Sequence, residues 1–300
     1  MFITHTDAQL YTVAFGGGPR TLLALGGWVG SWDLWAETFS VLSRSWRTVA
    51  FDHRGCGATI APIESISLPL MVADVLAVMD ALAIDQCVLA AESAGVAVAL
   101  QAALTAPERF TGLICVAGMY HRAMPVDGDP FVSSLRTAYL ATLQRFVDAC
   151  LSDTDSIALR RWGMQVVARA EQAAAIRLYE SLAGLDLRPQ VSQIRQPTLI
   201  LHGSADNIQP LAESEWLAAH IPQSHLTILA GAGHVPTVTR AHEVADAINT
   251  FHVGESRAQS AALQQLIALG RSIEPYVWGV VGSEAAHNTP NKAQSLCSSL

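Results

Sequence analysis

The chain has 300 residues, of which 51% are hydrophobic and 15% charged, so its composition excludes a disordered protein and predicts a large folded core. The formal net charge is −8 and the basic residues form no cluster, which argues against a nucleic-acid-binding protein. The single lysine, Lys292, stands near the C-terminus, which disfavours Schiff-base enzymes, P-loop NTPases and protein kinases.

The cysteines and the N-terminal segment indicate the cellular compartment. The odd number of cysteines and the absence of a CxxC pair favour free thiols in a reducing compartment. The first residues show neither the basic region nor the apolar region of a signal peptide, and no apolar run is long enough to cross a membrane. We therefore expect a soluble cytoplasmic protein. The cysteines are Cys56, Cys87, Cys115, Cys150 and Cys297.

The predicted elements alternate between strands and helices along the first 120 residues. Strands are predicted at 2–6 and 10–15, before a glycine-rich turn at 16–19. Apolar runs without alternation are typical of parallel strands that are buried on both faces. Such runs occupy 22–25, 48–51, 87–91, 113–117, 198–201 and 225–229, and the clearest helices lie at 69–82 and 94–104. This order predicts an α/β fold, with a mostly parallel sheet flanked by helices.

The alternation stops after Met119. Three or four helices are predicted to follow, roughly at 131–150, 153–168 and 169–184, so residues 121–195 are expected to form a helical cap inserted into a core of 1–120 and 196–253. Ligands of open α/β sheets bind outside the carboxyl ends of the strands, where we expect the cap to lie. Residues 254–300 are predicted to form a partly disordered C-terminal extension with an amphipathic helix at 255–269.

The strongest local motif surrounds Ser93. A buried strand leads directly into this serine, a helix follows at once, and the small residues Ala91 and Gly95 stand two positions before and after it. A nucleophile elbow needs this arrangement because larger neighbours would clash with the adjoining strand and helix. The alternative is an ordinary serine at a helix N-cap.

An acid and a histidine also follow predicted strands. Asp206 comes after the strand at 198–201, and His234 comes after the strand at 225–229. Serine, acid and histidine therefore stand near the carboxyl ends of three strands, in the chain order of α/β-hydrolases. Asp127 and Asp129 are the alternative acids.

Taken together, these segments resemble an α/β-hydrolase of the single-domain, capped kind over residues 1–253. The matching segments are GGWVGSW at 26–32, DHRGCG at 52–57, AESAG at 91–95, HGSAD at 202–206 and GAGHVP at 231–236. The chain departs from the family pattern in having Ala91 where glycine is commoner. It also has Gly26-Gly27 where many members have His-Gly.

The resemblance and the chemistry of these side chains imply a division of roles. Ser93 is expected to be the nucleophile, His234 its general base and Asp206 the group that orients the imidazole. The backbone N–H groups of Trp28 and Ala94 are expected to form the oxyanion hole.

Substrate contacts are expected near the start of the cap. Gly27, Met119, Tyr120 and His121 are the candidate substrate-binding residues. The aromatic residues of the cap favour a small acyl substrate with an apolar or aromatic group. These aromatic residues are Phe131, Tyr139, Phe146, Trp162 and Tyr179.

No metal and no cofactor are expected. The remaining histidines have no metal-ligand spacing, and no nucleic-acid or membrane partner is predicted; the sequence leaves the oligomeric state open. These histidines are His220, His225, His242 and His252.

The favoured function is a serine hydrolase that cleaves an ester, a lactone or a similar acyl compound. Three other reactions use the same triad: acyl transfer to an alcohol, perhydrolase or haloperoxidase chemistry, and carbon–carbon bond hydrolysis. A nucleotide-binding oxidoreductase is disfavoured because the first loop has the spacing G-G-x-x-G and not G-x-G-x-x-G. A non-catalytic binding protein on the same fold is the last alternative.

Overall fold

The structure is a computed structural model, and it describes residues 1–122 and 128–251. These residues form eight strands and ten α-helices. The strands are β1 (Phe2–His5), β2 (Ala8–Phe15), β3 (Arg20–Leu25), β4 (Trp46–Phe51), β5 (Cys87–Glu92), β6 (Phe110–Val116), β7 (Thr198–Gly203) and β8 (Ser224–Leu229). The helices are α1 (Ala36–Leu42), α2 (Leu68–Ala81), α3 (Gly95–Thr105), α4 (Pro130–Thr137), α5 (Tyr139–Cys150), α6 (Ile157–Val167), α7 (Gln172–Glu180), α8 (Leu211–His220), α9 (Pro236–Thr239) and α10 (Ala241–Thr250).

The strands form one sheet in the order β1-β2-β4-β3-β5-β6-β7-β8. Strand β2 pairs antiparallel with β1 and with β4, and every other pairing is parallel. The prediction of an α/β fold with a mostly parallel sheet flanked by helices is confirmed.

Two apolar layers cover the two faces of this sheet. Helices α2, α3 and α8 contribute to one layer, in which Val75, Val98 and Leu217 are buried. Helices α1 and α10 contribute Phe39 and Ile248 to the other layer. Every residue of β5 and β7 is buried, which explains why their sequences are apolar runs without polar alternation.

The parallel strands β3 to β8 bring six loops to one edge of the sheet. The loops after β3, β5, β7 and β8 carry Trp28, Ser93, Asp206 and His234. Residues that are distant in the sequence therefore meet at the carboxyl ends of the strands, where open α/β sheets bind ligands.

Helices α4 to α7 occupy the segment between β6 and β7 and contact this edge. The Trp28 indole N–H donates to the carbonyl of Ala175 in α7 at 2.8 Å. The backbone N–H of His234 donates to the carbonyl of Cys150 at the end of α5 at 3.2 Å. The inserted helices are thus bonded to loops on two sides of the edge.

The described part of the inserted segment contains four α-helices, which agrees with the predicted three or four; the range predicted at 131–150 holds two of them, α4 and α5. The backbone of Ala138 leaves the helical region, with φ −146° and ψ 54°. The hydroxyl of Thr142 donates to the carbonyl of Ser134 at 3.0 Å across this break. No glycine or proline stands at the break, so the local sequence gives no signal for it.

Several predictions fall outside the described residues: the helix at 255–269, the extension 254–300, and the positions of Asp127, His252 and Cys297. Among the helices that the structure describes, none has the length and hydropathy needed to span a membrane.

A buried ion pair holds the loop that follows β4. The Arg54 Nε and Nη2 atoms donate to the two carboxylate oxygens of Asp74 in α2 at 2.7 and 3.0 Å, and neither side chain is exposed. Arg54 also contacts Asp7 and Ser65, so it joins the first turn of the chain to the loop at 52–57.

We expect Arg54→Ala to lower the free energy of unfolding by about 3–5 kcal/mol, because the substitution removes the arginine from the buried Asp74 carboxylate and leaves it, among the described residues, only the hydrogen bond to His5 at 2.7 Å. Arg136→Ala is the matched control. It removes an ion pair with Glu180 in which the arginine is 60% exposed, and should lower this free energy by at most about 1 kcal/mol. Urea unfolding of both variants measures the difference; equal losses would contradict the prediction.

Candidate active site

Ser93 stands on a strained turn between β5 and α3. Its φ is +52°, in the left-handed region that residues with a Cβ atom rarely adopt. The Ser93 backbone N–H donates to the carbonyl of Val116 at 2.8 Å, and the Ser93 carbonyl accepts from the Met119 N–H at 3.0 Å. The end of β6 and the loop that follows it thus hold the turn on both sides, and the geometry is that of a nucleophile elbow.

Two glycines allow the chain to approach this turn closely. A Cβ atom on Gly95 would lie 2.3 Å from the carbonyl oxygen of Gly26, and this distance is too short for any side chain. A Cβ atom on Gly27 would lie 3.1 Å from the Ser93 Cβ. The loop after β3 can therefore lie directly against the serine only because these positions lack side chains.

Ser93, His234 and Asp206 form one chain of hydrogen bonds. The Ser93 hydroxyl donates to His234 Nε2 at 3.0 Å. His234 Nδ1 donates to Asp206 Oδ2 at 2.8 Å. The imidazole is 1% exposed, so these bonds lie in a site from which bulk water is largely excluded. The three predicted side chains are brought together in the order that a proton relay requires.

The surroundings of Asp206 keep its carboxylate ionised. Burial raises its pKa, but the hydrogen bond from His234 and the backbone N–H groups of Ile208 and Gln209 outweigh burial and hold the pKa below the ordinary value. His202 lies on the other side, with its Nε2 3.4 Å from Asp206 Oδ2. Burial is the main cause that lowers the pKa of His202, which favours its neutral form.

The predicted oxyanion donors lie beside the serine. Ala94 is the N-cap of α3 and follows Ser93 directly, and Trp28 follows Gly27. Among the described residues, the backbone N–H groups of Trp28 and Ala94 donate to no protein acceptor. Both groups are therefore free to bind an oxygen atom.

His53 supports the loop where the chain has Gly26-Gly27. Its Nε2 donates to the carbonyl of Gly27 at 2.8 Å. Asp52 accepts from the backbone N–H groups of Trp32 and Ala58, each at 2.8 Å. Although the first loop lacks the commoner histidine, the loop at 52–57 thus supplies an imidazole that holds its backbone.

Three of the four predicted substrate-binding residues, Met119, Tyr120 and His121, line a large cavity. It has a volume of about 430 Å³ and is lined by Ser93, Ala94, Met119, Tyr120 and His121 among others. Gly27 does not line this cavity but lines a second one on another side of Ser93.

Tyr120 and His121 both bind Glu213, a residue of α8 that sequence analysis did not single out. The Tyr120 hydroxyl donates to Glu213 Oε2 at 2.9 Å, and His121 Nε2 donates to the same oxygen at 2.7 Å. Tyr120 is 1% exposed and stacks on Trp216, so it shapes the cavity more than it projects into it. His121 is only partly buried.

The inserted helices bring aromatic rings to Trp28. The ring of Trp28 packs edge-on against Phe131 at 5.1 Å, Phe146 at 5.2 Å and Tyr179 at 6.2 Å. The Tyr139 hydroxyl instead donates to the carbonyl of Ala170.

The other polar candidates have structural partners. Asp129 caps α4 by accepting from the N–H groups of Phe131 and Val132. Among the described residues, no group of histidine, cysteine or acidic side chains has metal-ligand geometry. Burial raises the pKa of the Cys87 and Cys115 thiols to about 12, so both stay protonated at neutral pH.

Glu92 is a buried acid beside the serine that sequence analysis did not assign. Its Oε2 accepts from the Thr237 hydroxyl at 3.0 Å, while Oε1 has no hydrogen-bond partner among the described residues. Burial, more than the nearby charge of Asp206, raises the pKa of Glu92 to about 8. The group is therefore neutral at pH 7. The sequence did offer a signal for this buried acid, because Glu92 stands at the end of an otherwise apolar strand, directly before Ser93.

Comparisons with known proteins agree with this fold. Residues 20–160 match the sequence profile described as alpha/beta hydrolase fold. A pimeloyl-[acyl-carrier protein] methyl ester esterase of Photobacterium profundum is 30% identical over 252 residues, which cover 78% of this chain and 95% of that protein. The 3-oxoadipate enol-lactonase 2 of Acinetobacter baylyi is 26% identical, over 79% of this chain and 90% of that protein.

A solved structure has the same fold. The esterase EaEST of Exiguobacterium antarcticum superimposes with a TM-score of 0.78 at 21% identity, and the match covers 83% of this chain and 97% of that chain.

We expect the buried Glu92 to make the protein less stable as the pH rises from about 4.5 to about 8. Its pKa is higher in the folded than in the unfolded chain. Over this interval the folded state therefore binds the extra proton, and stability falls by about 1.4 kcal/mol per pH unit. Glu92→Gln should remove this contribution. The measurement is the difference in unfolding free energy between wild type and variant at several pH values; a difference that does not change with pH would contradict the assignment.

Proposed function

The chain belongs to the α/β-hydrolase family, and on that premise we propose that it is a serine hydrolase that cleaves a small carboxylic ester or lactone. The observation that carries the proposal is the unbroken hydrogen-bond chain from Asp206 through His234 to Ser93. The activities for which two relatives are named, those of a methyl ester esterase and an enol-lactonase, support this class of substrate.

The first half of the reaction transfers the acyl group to Ser93. The Ser93 hydroxyl attacks the carbonyl carbon while His234 Nε2 takes its proton. Asp206 stabilises the imidazolium that forms and keeps Nδ1 protonated. His234 then gives the proton to the leaving oxygen, the bond between this oxygen and the carbonyl carbon breaks, and an alcohol departs.

The second half returns the enzyme to its starting state. A water molecule gives a proton to His234 and attacks the acyl carbon. The carboxylic acid leaves as the proton passes back to Ser93. In both halves the carbonyl oxygen becomes an oxyanion, and the free N–H groups of Trp28 and Ala94 stabilise it.

The helices between β6 and β7 act as a cap in this proposal, over residues 121–195, on a core of 1–120 and 196–253. Their contacts with the loops of Trp28 and His234 support this role. A covered site has a lower local dielectric constant, which strengthens the interactions that stabilise the oxyanion.

We expect a fluorophosphonate probe to add one phosphonyl group to the wild-type protein and none to Ser93→Ala, because only an activated serine attacks the phosphorus atom. Intact-protein mass spectrometry measures the adduct. A panel of esters, lactones and amides should give hydrolysis that falls by at least about 10⁴-fold in Ser93→Ala.

Ser40→Ala is the matched control, because Ser40 is exposed on α1 and bonds only to the carbonyl of Glu37. It should label like wild type. Equal labelling of Ser93→Ala, or a folded wild-type protein that neither labels nor hydrolyses any substrate, would refute the proposal. The panel is repeated with added alcohol, since formation of a new ester in place of the acid would identify an acyltransferase.

Asp206→Asn should lower kcat by about 10⁴-fold, because an amide does not hold the imidazole in the reactive tautomer as a carboxylate does. Asp246→Asn, at an exposed position of α10, serves as the control for the loss of one carboxylate. The rates are compared on the best ester of the panel. A decrease of less than tenfold in Asp206→Asn would remove Asp206 from the proposed mechanism.

A further inference from the structure

Two cavities flank Ser93. The smaller has a volume of about 50 Å³ and the larger about 430 Å³. Ser93, Trp28 and Phe146 line both of them. A substrate whose carbonyl carbon is within reach of the Ser93 hydroxyl therefore has two separate spaces for the groups on either side of that carbon.

The position of His234 distinguishes these two spaces. The imidazole lines the smaller cavity, together with Gly27 and Val235, and is absent from the lining of the larger one. His234 has to protonate the leaving oxygen of an ester, so this oxygen must face Nε2. The alcohol part of the substrate then extends into the smaller cavity, and the acyl part extends into the larger one.

The smaller cavity is apolar and narrow. Glu92 and Cys150 line it beside Ser93 and His234, and most of the remaining wall consists of aliphatic and aromatic side chains such as Leu34, Val147, Trp162 and Val166. A water-sized group needs roughly 10–15 Å³ of such volume, so the cavity of about 50 Å³ admits about three to five groups of this size, one of which is the leaving oxygen. This is the size of an alkyl chain from methyl to about propyl.

The larger cavity combines an aromatic wall with polar groups. Phe131 and Phe146 join Trp28 on its lining, and His121, Gln209 and Glu213 supply hydrogen-bonding groups. The charged side chains are already paired: His121 binds Glu213, and Arg122 binds Asp129. An uncharged polar substituent therefore suits this cavity better than a free carboxylate or ammonium group.

We propose that the preferred substrates are esters of short apolar alcohols, from methyl to about propyl, with a larger acyl group that is partly apolar and carries an uncharged polar substituent. This specificity rests on the proposed function, because it assigns the two cavities from the proton that His234 delivers.

The test measures kcat/KM for two series of esters. The first series keeps a phenylpropanoyl group and lengthens the alcohol from methyl to hexyl. The second series keeps the methyl ester and lengthens the acyl group from acetyl to octanoyl, with and without a terminal hydroxyl group. We expect kcat/KM to fall at least about tenfold between the propyl and hexyl alcohols, and to hold or rise along the acyl series.

Three variants connect these profiles to the cavities. Trp162→Ala widens the smaller cavity and should restore hydrolysis of the hexyl ester to within about threefold of the propyl ester. Gly163→Ala should move the limit to a shorter alcohol, because the new Cβ would lie 3.0 Å from Val147 Cγ1, and alanine suits a helix. Leu182 lines the larger cavity and not the smaller one, so Leu182→Ala should leave the alcohol profile unchanged.

The outcomes separate the two proposals. If the wild-type protein hydrolyses esters but accepts hexyl alcohols as well as methyl and limits the acyl group to acetyl or propionyl, the cavity assignment is wrong while the serine hydrolase stands. The same holds if Trp162→Ala widens the acyl range in place of the alcohol range. If no ester is hydrolysed and the fluorophosphonate probe does not react, the proposed function itself fails.

Discussion

The left-handed backbone of Ser93 is the constraint on which the rest of the site depends. A φ of +52° at a residue with a side chain is unfavourable by about 1–2 kcal/mol, and the surrounding hydrogen bonds to β6 hold it there. The turn lifts the hydroxyl above the edge of the sheet, where it meets the imidazole of His234. It also places Ala94, the N-cap of α3, directly after the serine. Gly95 is needed because a Cβ atom there would lie 2.3 Å from the carbonyl oxygen of Gly26, and Gly27 leaves room beside the Ser93 side chain.

The parallel sheet supplies the second condition, since it assembles residues that lie far apart in the chain. Ser93 and His234 are 141 positions apart, yet each follows the carboxyl end of a strand in the same sheet. Asp206 follows β7 and His234 follows β8. Because these two strands are neighbours in the sheet, the carboxylate lies next to the imidazole. The sheet therefore brings the three side chains to one edge, and the loops that carry them determine their exact positions.

Much of this arrangement could be predicted from the sequence, because the strands are continuous apolar runs and the residues that follow them carry distinctive side chains. The α/β-hydrolase resemblance is confirmed by the sheet and by the family comparison. The features that the sequence did not reveal depend on contacts between segments that are distant in the chain. The break at Ala138 has no local marker. The proton on Glu92 depends on burial by distant segments, and the pairing of His121 with Glu213 joins residues 92 positions apart.

The bonds between the inserted helices and the loops beneath them have a mechanical consequence. The end of α5 is tied to the backbone of His234, and Ser152, just beyond it, donates to the carbonyl of Ala205, next to Asp206. A rigid outward swing of these helices would strain the imidazole and the carboxylate together. Opening the site by that route would therefore also disturb the hydrogen-bond chain from Asp206 through His234 to Ser93.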